Sequence, residues 1–234
     1  MSKVTYYSRL GHQGAISDFF SDYGNLDLTL AKAGKAVFVD GETGNHIVLN
    51  GSGLQYDGDD LIAGTITSVS FETGKGKPFM TFEKGAWSAE EFSQIYANDH
   101  IWNLEEKLLL TGNDRIIGSK GADYMQSCAG NDKVFGGKGD DRIYGSLGND
   151  QFTGGKGSDI FIFEFAFGKT VIKDFDATGG SQRQDYLLLV GENSDFDIVK
   201  SGHDVVLHFD SGGTLTLKDV PFNSFDHTDY SPFG

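Results

Sequence analysis

The chain has 234 residues, 38% of them hydrophobic, and a formal net charge of −15. That is enough apolar material for one large domain or two small ones with real cores. So acidic a surface argues against nucleic acid or an anionic membrane as the main partner and makes a cation the natural counterpart. No apolar run approaches the roughly 18 residues of a membrane span, and the opening MSKVTYYSRLGHQG holds no signal-peptide core, so neither a transmembrane segment nor a Sec-type signal is expected. Cys128 is the only cysteine, which excludes a disulfide within the chain.

Residues 1–108 read as a small antiparallel β-domain. The alternating runs AVFVD, HIVLN, GTITSVSF and PFMTF are separated by the turn clusters DGETGN, NGSG, YDGDD and TGKGKP. One helix interrupts them. In WSAEEFSQIYAND, Ser88 is placed to cap the helix and Glu91 stands at the capping-box position, with Phe92, Ile95 and Tyr96 on one face for packing against the sheet. Asp57, Asp59 and Asp60 crowd a single turn; a hairpin is the simpler reading, with a cation site as the other.

From residue 109 the chain repeats every nine residues, as LLTGNDRII, GSKGADYMQ, SCAGNDKVF, GGKGDDRIY, GSLGNDQFT and GGKGSDIFI. Position four is always glycine: Gly112, Gly121, Gly130, Gly139, Gly148 and Gly157. Position six is always aspartate: Asp114, Asp123, Asp132, Asp141, Asp150 and Asp159. Position eight is always apolar: Ile116, Met125, Val134, Ile143, Phe152 and Phe161. An apolar residue between mostly outward neighbours is the centre of a very short strand, and the glycine-bearing residues before it form a turn. Each nine is therefore half a coil, two nines make one turn of a parallel roll, and aspartates 18 residues apart stack in a file at each corner. Stacked carboxylates repel unless a cation lies between them. The ligands on offer are carboxylates and turn carbonyls, all oxygen, which suits calcium.

These residues resemble the RTX, or haemolysin-type, calcium-binding nonapeptide GGxGxDxUx, which folds as a parallel β-roll. The resemblance implies an all-β fold with a roll of about three full turns over 109–162. It places ions between loops two repeats apart, pairing Asp114 with Asp132, Asp132 with Asp150, Asp123 with Asp141, and Asp141 with Asp159, about four ions or more. Cys128, Ser119 and Ser146 depart from the motif at position two, and Leu109 and Leu110 stand where two glycines are expected, so the first loop departs most. The YDGDD and IAGTITS run with the helix after it also resembles a segment found ahead of such repeats in secreted proteins of α-proteobacteria.

A site with a dissociation constant near 10⁻⁴ M adds roughly 1.4 kcal/mol at about 1 mM calcium, so four add about 6 kcal/mol, comparable with a domain's whole stability. Such a roll is expected to be unfolded inside the cell and folded outside. The resemblance implies the matching export route, type I secretion of an unfolded chain with a C-terminal signal, and the ending NSFDHTDYSPFG is compatible with one.

Beyond Ile162 the period stops, and residues 163–234 read as a β-rich cap of antiparallel strands, notably DVVLHF and TLTLKDV. Relatives carry a flank like IKDF followed by DYLLL, which makes Asp174 and Asp185 candidate terminal calcium ligands beside their plainer reading as turn acids.

Catalysis finds little support. His12, His46, His100, His203, His208 and His227 are scattered without an H-E-x-x-H motif, and neither a G-x-S-x-G elbow nor an Asp-Pro bond occurs. A polysaccharide-modifying enzyme or accessory module stays open as the alternative, since an acidic chain offers carboxylate pairs. The leading reading is an extracellular binding or adhesion protein. Residues 109–162 carry six Lys or Arg and seven Asp, so about four bound ions turn this segment basic. Arg115, Lys133, Arg142, Tyr124 and Tyr144 point outward and are candidates for gripping an acidic exopolysaccharide, with Phe135 beside them and Lys120, Lys138 and Lys156 in the loops. Roll modules of alginate epimerases and rhizobial adhering proteins, which this repeat resembles, bind such glycans. The plainer reading of these residues is that they solubilise the roll.

Overall fold

The fold is seen in a computed structural model that describes residues 3–6, 26–99, 108–163, 167–178, 184–191 and 195–233. The chain divides into two compact units, one within the first 111 residues and the other spanning Gly112–Gly234.

In the first unit, β1 (Lys3–Tyr6), β2 (Leu26–Lys32), β3 (Lys35–Asp40), β4 (His46–Asp57), β5 (Asp60–Glu72) and β6 (Pro78–Ser88) form an antiparallel sheet in the order β1-β6-β5-β4-β3-β2. The expected runs AVFVD, HIVLN, GTITSVSF and PFMTF all fall in these strands. Alternation buries one side of them, with Ile47, Leu49, Ile66, Val69, Phe71, Met80 and Phe82 fully inside. Phe71 packs against Phe79 and Phe82 at ring-centroid distances of 6.3 and 6.0 Å. The Asp57 turn is a hairpin: Asp57 pairs with Asp60 across β4 and β5, and Gly58 takes φ 61°. Helix α1 (Ala89–Asp99) follows β6, and the Glu91 N–H donates to the Ser88 hydroxyl at 3.2 Å, the expected cap. Phe92 is buried where α1 meets β5 and β6. The side chain of Tyr96, and residues His12 and His100, lie outside the described residues.

The second unit is the roll. One parallel sheet contains β7 (Arg115–Ile117), β9 (Lys133–Lys138) and β11 (Gln151–Lys156), and the other contains β8 (Tyr124–Gln126), β10 (Arg142–Gly145) and β12 (Ile160–Phe163). All six position-eight residues have 0% exposure, because alternation along each short strand directs that side chain between the sheets. Phe152 and Phe161 stack there at 6.4 Å.

The roll does not stop where the period stops. On the first sheet β13 (Lys169–Ile172) pairs parallel to β11, and β17 (Thr214–Leu217) pairs parallel to β13. On the second, β14 (Tyr186–Val190) pairs parallel to β12, and β18 (Tyr230–Phe233) pairs parallel to β14. The expected antiparallel strands are also present: β16 (Asp204–Phe209) pairs antiparallel with both β15 (Phe196–Ser201) and β17. The segment after Ile162 thus combines continued coils with one antiparallel edge. The physical reason is that Ile172, Leu187, Leu189, Leu215 and Leu217 keep inward apolar positions in register while the connections between them lengthen. Among the described residues, no helix is long and apolar enough to cross a membrane.

Candidate metal centre in the corners of the roll

The six motif aspartates occupy the two corners where the chain passes between the sheets, each at most 3% exposed. Repeats one, three and five build one corner, here the odd corner, and repeats two, four and six the even corner. Within a corner, each aspartate N–H donates to Oδ1 of the aspartate 18 residues later: Asp114 to Asp132 at 2.6 Å, Asp132 to Asp150 at 2.8 Å, Asp123 to Asp141 at 2.8 Å, and Asp141 to Asp159 at 2.9 Å. These bonds join the same aspartates that the resemblance pairs across an ion. The even file runs one step further, because the Asp159 N–H donates to Asp185 at 2.9 Å. In the odd file the corresponding place is taken by Thr170, which follows from the pairing of Gln151 with Val171.

Four of the turns leave no room for a side chain at position four. At Gly148, φ is 134° and a Cβ would be driven into the Gly130 carbonyl oxygen, since the glycines of successive coils lie on one another. Gly130, Gly139 and Gly157 share this geometry, whereas Gly112 and Gly121 do not take a positive φ. Cys128, replacing a position-two glycine, sits at φ 60°.

Oδ1 of Asp132, Asp141, Asp150 and Asp159 is thereby spoken for, and the other oxygen decides what the corner can hold. Oδ2 of Asp132, Asp141 and Asp159 is buried with no hydrogen-bond partner. A buried anionic oxygen left unpaired costs far more than a neutral one, which makes it a natural cation ligand. The space beside it is lined by oxygen: a Cβ built on Gly136 would meet Asp141 Oδ2 at 2.5 Å and would also collide with the Gly154 carbonyl. The position-one glycine thus keeps open a cradle between a carboxylate and a carbonyl of the next coil. Among the described residues no three acidic, histidine or cysteine side chains converge on a point, so a site here draws on few carboxylates and completes its shell with backbone carbonyls. An all-oxygen, carbonyl-rich set fits calcium and suits neither zinc nor copper. Asp132, Asp141 and Asp159, with the carbonyls of the glycine turns, would hold the ion, which would supply the positive charge that the files lack.

The electrostatics agree. Burial pushes Asp141 up to about 8, Asp132 and Asp185 to about 7, and Asp150 and Asp159 to about 6. Like charge adds to this: Asp159 and Asp123 raise Asp141, and Asp150 and Asp114 raise Asp132. Burial also raises Asp123, against which the Ser119 N–H and hydroxyl donate to its carboxylate.

The two flanking candidates are held by main chain. Asp174 accepts from the N–H groups of Gly154 and Gly155, both at 2.9 Å, and Asp185 accepts from Asp159 at 2.9 Å and Asp176 at 3.0 Å. Sequence reasoning missed a second ladder. Asn113 Oδ1 accepts from the Asn131 N–H, Asn131 from Asn149 and Asn149 from Lys169, each at 2.8 Å. Its signal was asparagine at position five in alternate repeats only.

The outward candidates divide between the sheets. Arg115 and Lys133 pair on the first sheet, and the Arg115 guanidinium lies over the Phe135 ring at 4.1 Å. Tyr124, Arg142 and Tyr144 are together on the second, with Arg142 opposite Tyr124 and the two tyrosine rings 4.5 Å apart. Lys120, Lys138 and Lys156 are exposed at the even corner, but Lys138 and Lys156 end β9 and β11 and pair with each other rather than lying in loops, because those strands run on past the corner-facing glycines.

A family model described as the RTX calcium-binding nonapeptide repeat (4 copies) matches residues 110–127 and 129–161. No curated protein matches the chain. Among solved structures, the AlgE6R3 subunit of the mannuronan C5-epimerase from Azotobacter vinelandii aligns at 20% identity and a TM-score of 0.41, covering 52% of this chain and 79% of that one. The extracellular lipase LipA from Serratia marcescens aligns at 13% identity and a TM-score of 0.32, covering 90% of this chain and 31% of that one. The buried aspartate files, the glycine cradles and the family match lead to one identification: residues 110–127 and 129–161 are RTX calcium-binding nonapeptide repeats, folded as a β-roll.

Proposed function

We propose that this protein is an extracellular, calcium-dependent binding protein, exported through a type I secretion machinery and folded by calcium outside the cell, that adheres to acidic exopolysaccharide. The observation that carries the reading is the set of buried, unpartnered oxygens on Asp132, Asp141 and Asp159, which disfavour the folded roll until a cation reaches them. A chain that folds only where calcium is plentiful is suited to export before folding. The glycan-binding face is the second sheet's cluster, where exposed Arg142 offers a charge-assisted grip for a carboxylate and half-buried Tyr124 and Tyr144 offer ring surface to a sugar. Arg115 and Lys133, on the other sheet, contribute long-range attraction once the bound ions have reversed the sign of the repeat.

Soluble oligouronates are the test probe, titrated calorimetrically with and without calcium. Binding should appear only with calcium and weaken about tenfold in Arg142→Ala and Tyr144→Ala, while Arg115→Ala stays within about twofold. Binding indifferent to those residues contradicts the assigned face, and no binding contradicts the glycan reading. Expressed beside a type I exporter, the chain should reach the medium at full length; retention in the cell contradicts the route.

A further inference from the structure

The six motif aspartates are equal in the sequence and unequal in the structure. Asp132, Asp141 and Asp159 each have a buried Oδ2 without a partner. Asp150, equally buried, does not: its Oδ1 accepts from the Asp132 N–H at 2.8 Å and its Oδ2 accepts from the Ser127 hydroxyl at 3.2 Å. Ser127 occupies position one of the third repeat, where Gly118, Gly136 and Gly154 stand in the even corner. Its hydroxyl is itself fixed by the Ser146 N–H at 3.2 Å.

The cradle beside Asp150 is also filled. In the even corner a Cβ on Gly136 or Gly154 would run into the carboxylate of its own loop. The matching glycine in the Asp150 loop is Gly145, whose Cβ would instead run into the Phe163 ring and meet Phe152 at 3.2 Å. Phe163 occupies the place on the next coil that Asp174 occupies in the even corner, as the pairings of Gly145 with Phe163 and of Phe152 with Ile172 show. One coil on from Asp150 itself stands Thr170 rather than an acid. An ion at Asp150 would need a phenyl ring to move and a hydroxyl bond to break, and would find no second carboxylate above it.

We propose that Asp150 is a structural acceptor rather than a calcium ligand, and that Ser127 and Phe163 close the odd corner there, so that the odd corner holds fewer ions than the even one. This rests on the calcium reading of Asp132, Asp141 and Asp159. The sequence expectation of equivalent sites along both files is replaced by a graded one, in which two departures from the motif set where the ion file ends.

The test is calcium bound per full-length chain, measured by elemental analysis after equilibration at about 1 mM free calcium, with circular dichroism confirming the fold. Asp150→Asn should bind as much calcium as the unsubstituted chain and keep its calcium midpoint within about twofold. Asp141→Asn should lose at least one ion and raise the midpoint about tenfold. Equal loss in both overturns the proposal while leaving the calcium reading intact; loss in neither overturns the calcium reading itself. Ser127→Ala gives a check that survives a folding defect in Asp150→Asn. Its thermal destabilisation should be the same just above the folding midpoint and at saturating calcium, since the hydroxyl bond it removes is not made to an ion-bound carboxylate. Destabilisation confined to saturating calcium overturns the proposal.

Discussion

Gly148→Ala is expected to destabilise the roll by at least about 3 kcal/mol, even in saturating calcium. Two independent effects add. At φ 134° an L side chain is strained whatever its surroundings, and the new methyl carbon would collide with the Gly130 carbonyl, a backbone atom that cannot turn aside. Relief would require separating two coils and with them the bond from the Asn149 N–H to Asn131 Oδ1 and the bond from the Asp132 N–H to Asp150. Gly112→Ala is the internal control: it has the same place in the motif, no positive φ, and nothing within 4 Å of its Cβ, so the change should stay within about 0.5 kcal/mol. Urea unfolding of both variants in calcium, followed by circular dichroism, separates the two cases. Equal midpoints would mean that the coils are not stacked at the spacing described.

The second large effect is a reversal of pH dependence by calcium. Asp132, Asp141, Asp150, Asp159 and Asp185 have folded-state values raised to between about 6 and about 8, well above those of an unfolded chain. A carboxylate whose value is raised on folding favours the fold below its unfolded value and withdraws that support as pH rises through the folded one. In chelator, therefore, the roll should be more stable at pH 5 than at pH 8, by on the order of several kcal/mol. With calcium the order inverts, because protons and the ion compete for the same oxygens and acid expels the ion. Far-UV circular dichroism, with urea midpoints wherever the chain is folded, at the two pH values in chelator and in excess calcium makes a four-way comparison. A calcium-free roll that is more stable at pH 8 contradicts the account of the buried aspartates.

Much of this was legible in the sequence, for a reason that also marks the limit. Where the chain repeats every nine residues, one register explains all coils, so Ile116 through Phe161 could be placed inside and Asp114 through Asp159 in two files. Past Phe163 the spacing between stacked residues changes from 18 to 20 at Asn149 and Lys169 and to 26 at Asp159 and Asp185, and periodicity no longer says which residues meet. Thr170 and Asp185 therefore could not be assigned to corners in advance. The asparagine ladder was hidden differently: position five is asparagine only in repeats one, three and five, which becomes a pattern once odd and even repeats are recognised as separate corners. The same parity divides Arg115 and Lys133 from Tyr124 and Arg142, residues that one nine-residue column would merge. Ser127 was the least legible, since no motif says that a serine at a glycine position will reach the aspartate of the next coil.

The central claim is that a divalent, oxygen-seeking ion completes the roll, and far-UV circular dichroism of the full chain through a calcium titration, with magnesium as control, tests it most directly. The account predicts a gain of β-signal at about 0.1 to 1 mM calcium and little response to magnesium, which keeps its own water and demands a stricter octahedron. A chain already fully folded in chelator and unmoved by calcium would mean that Asp132, Asp141 and Asp159 are satisfied by something other than a metal ion.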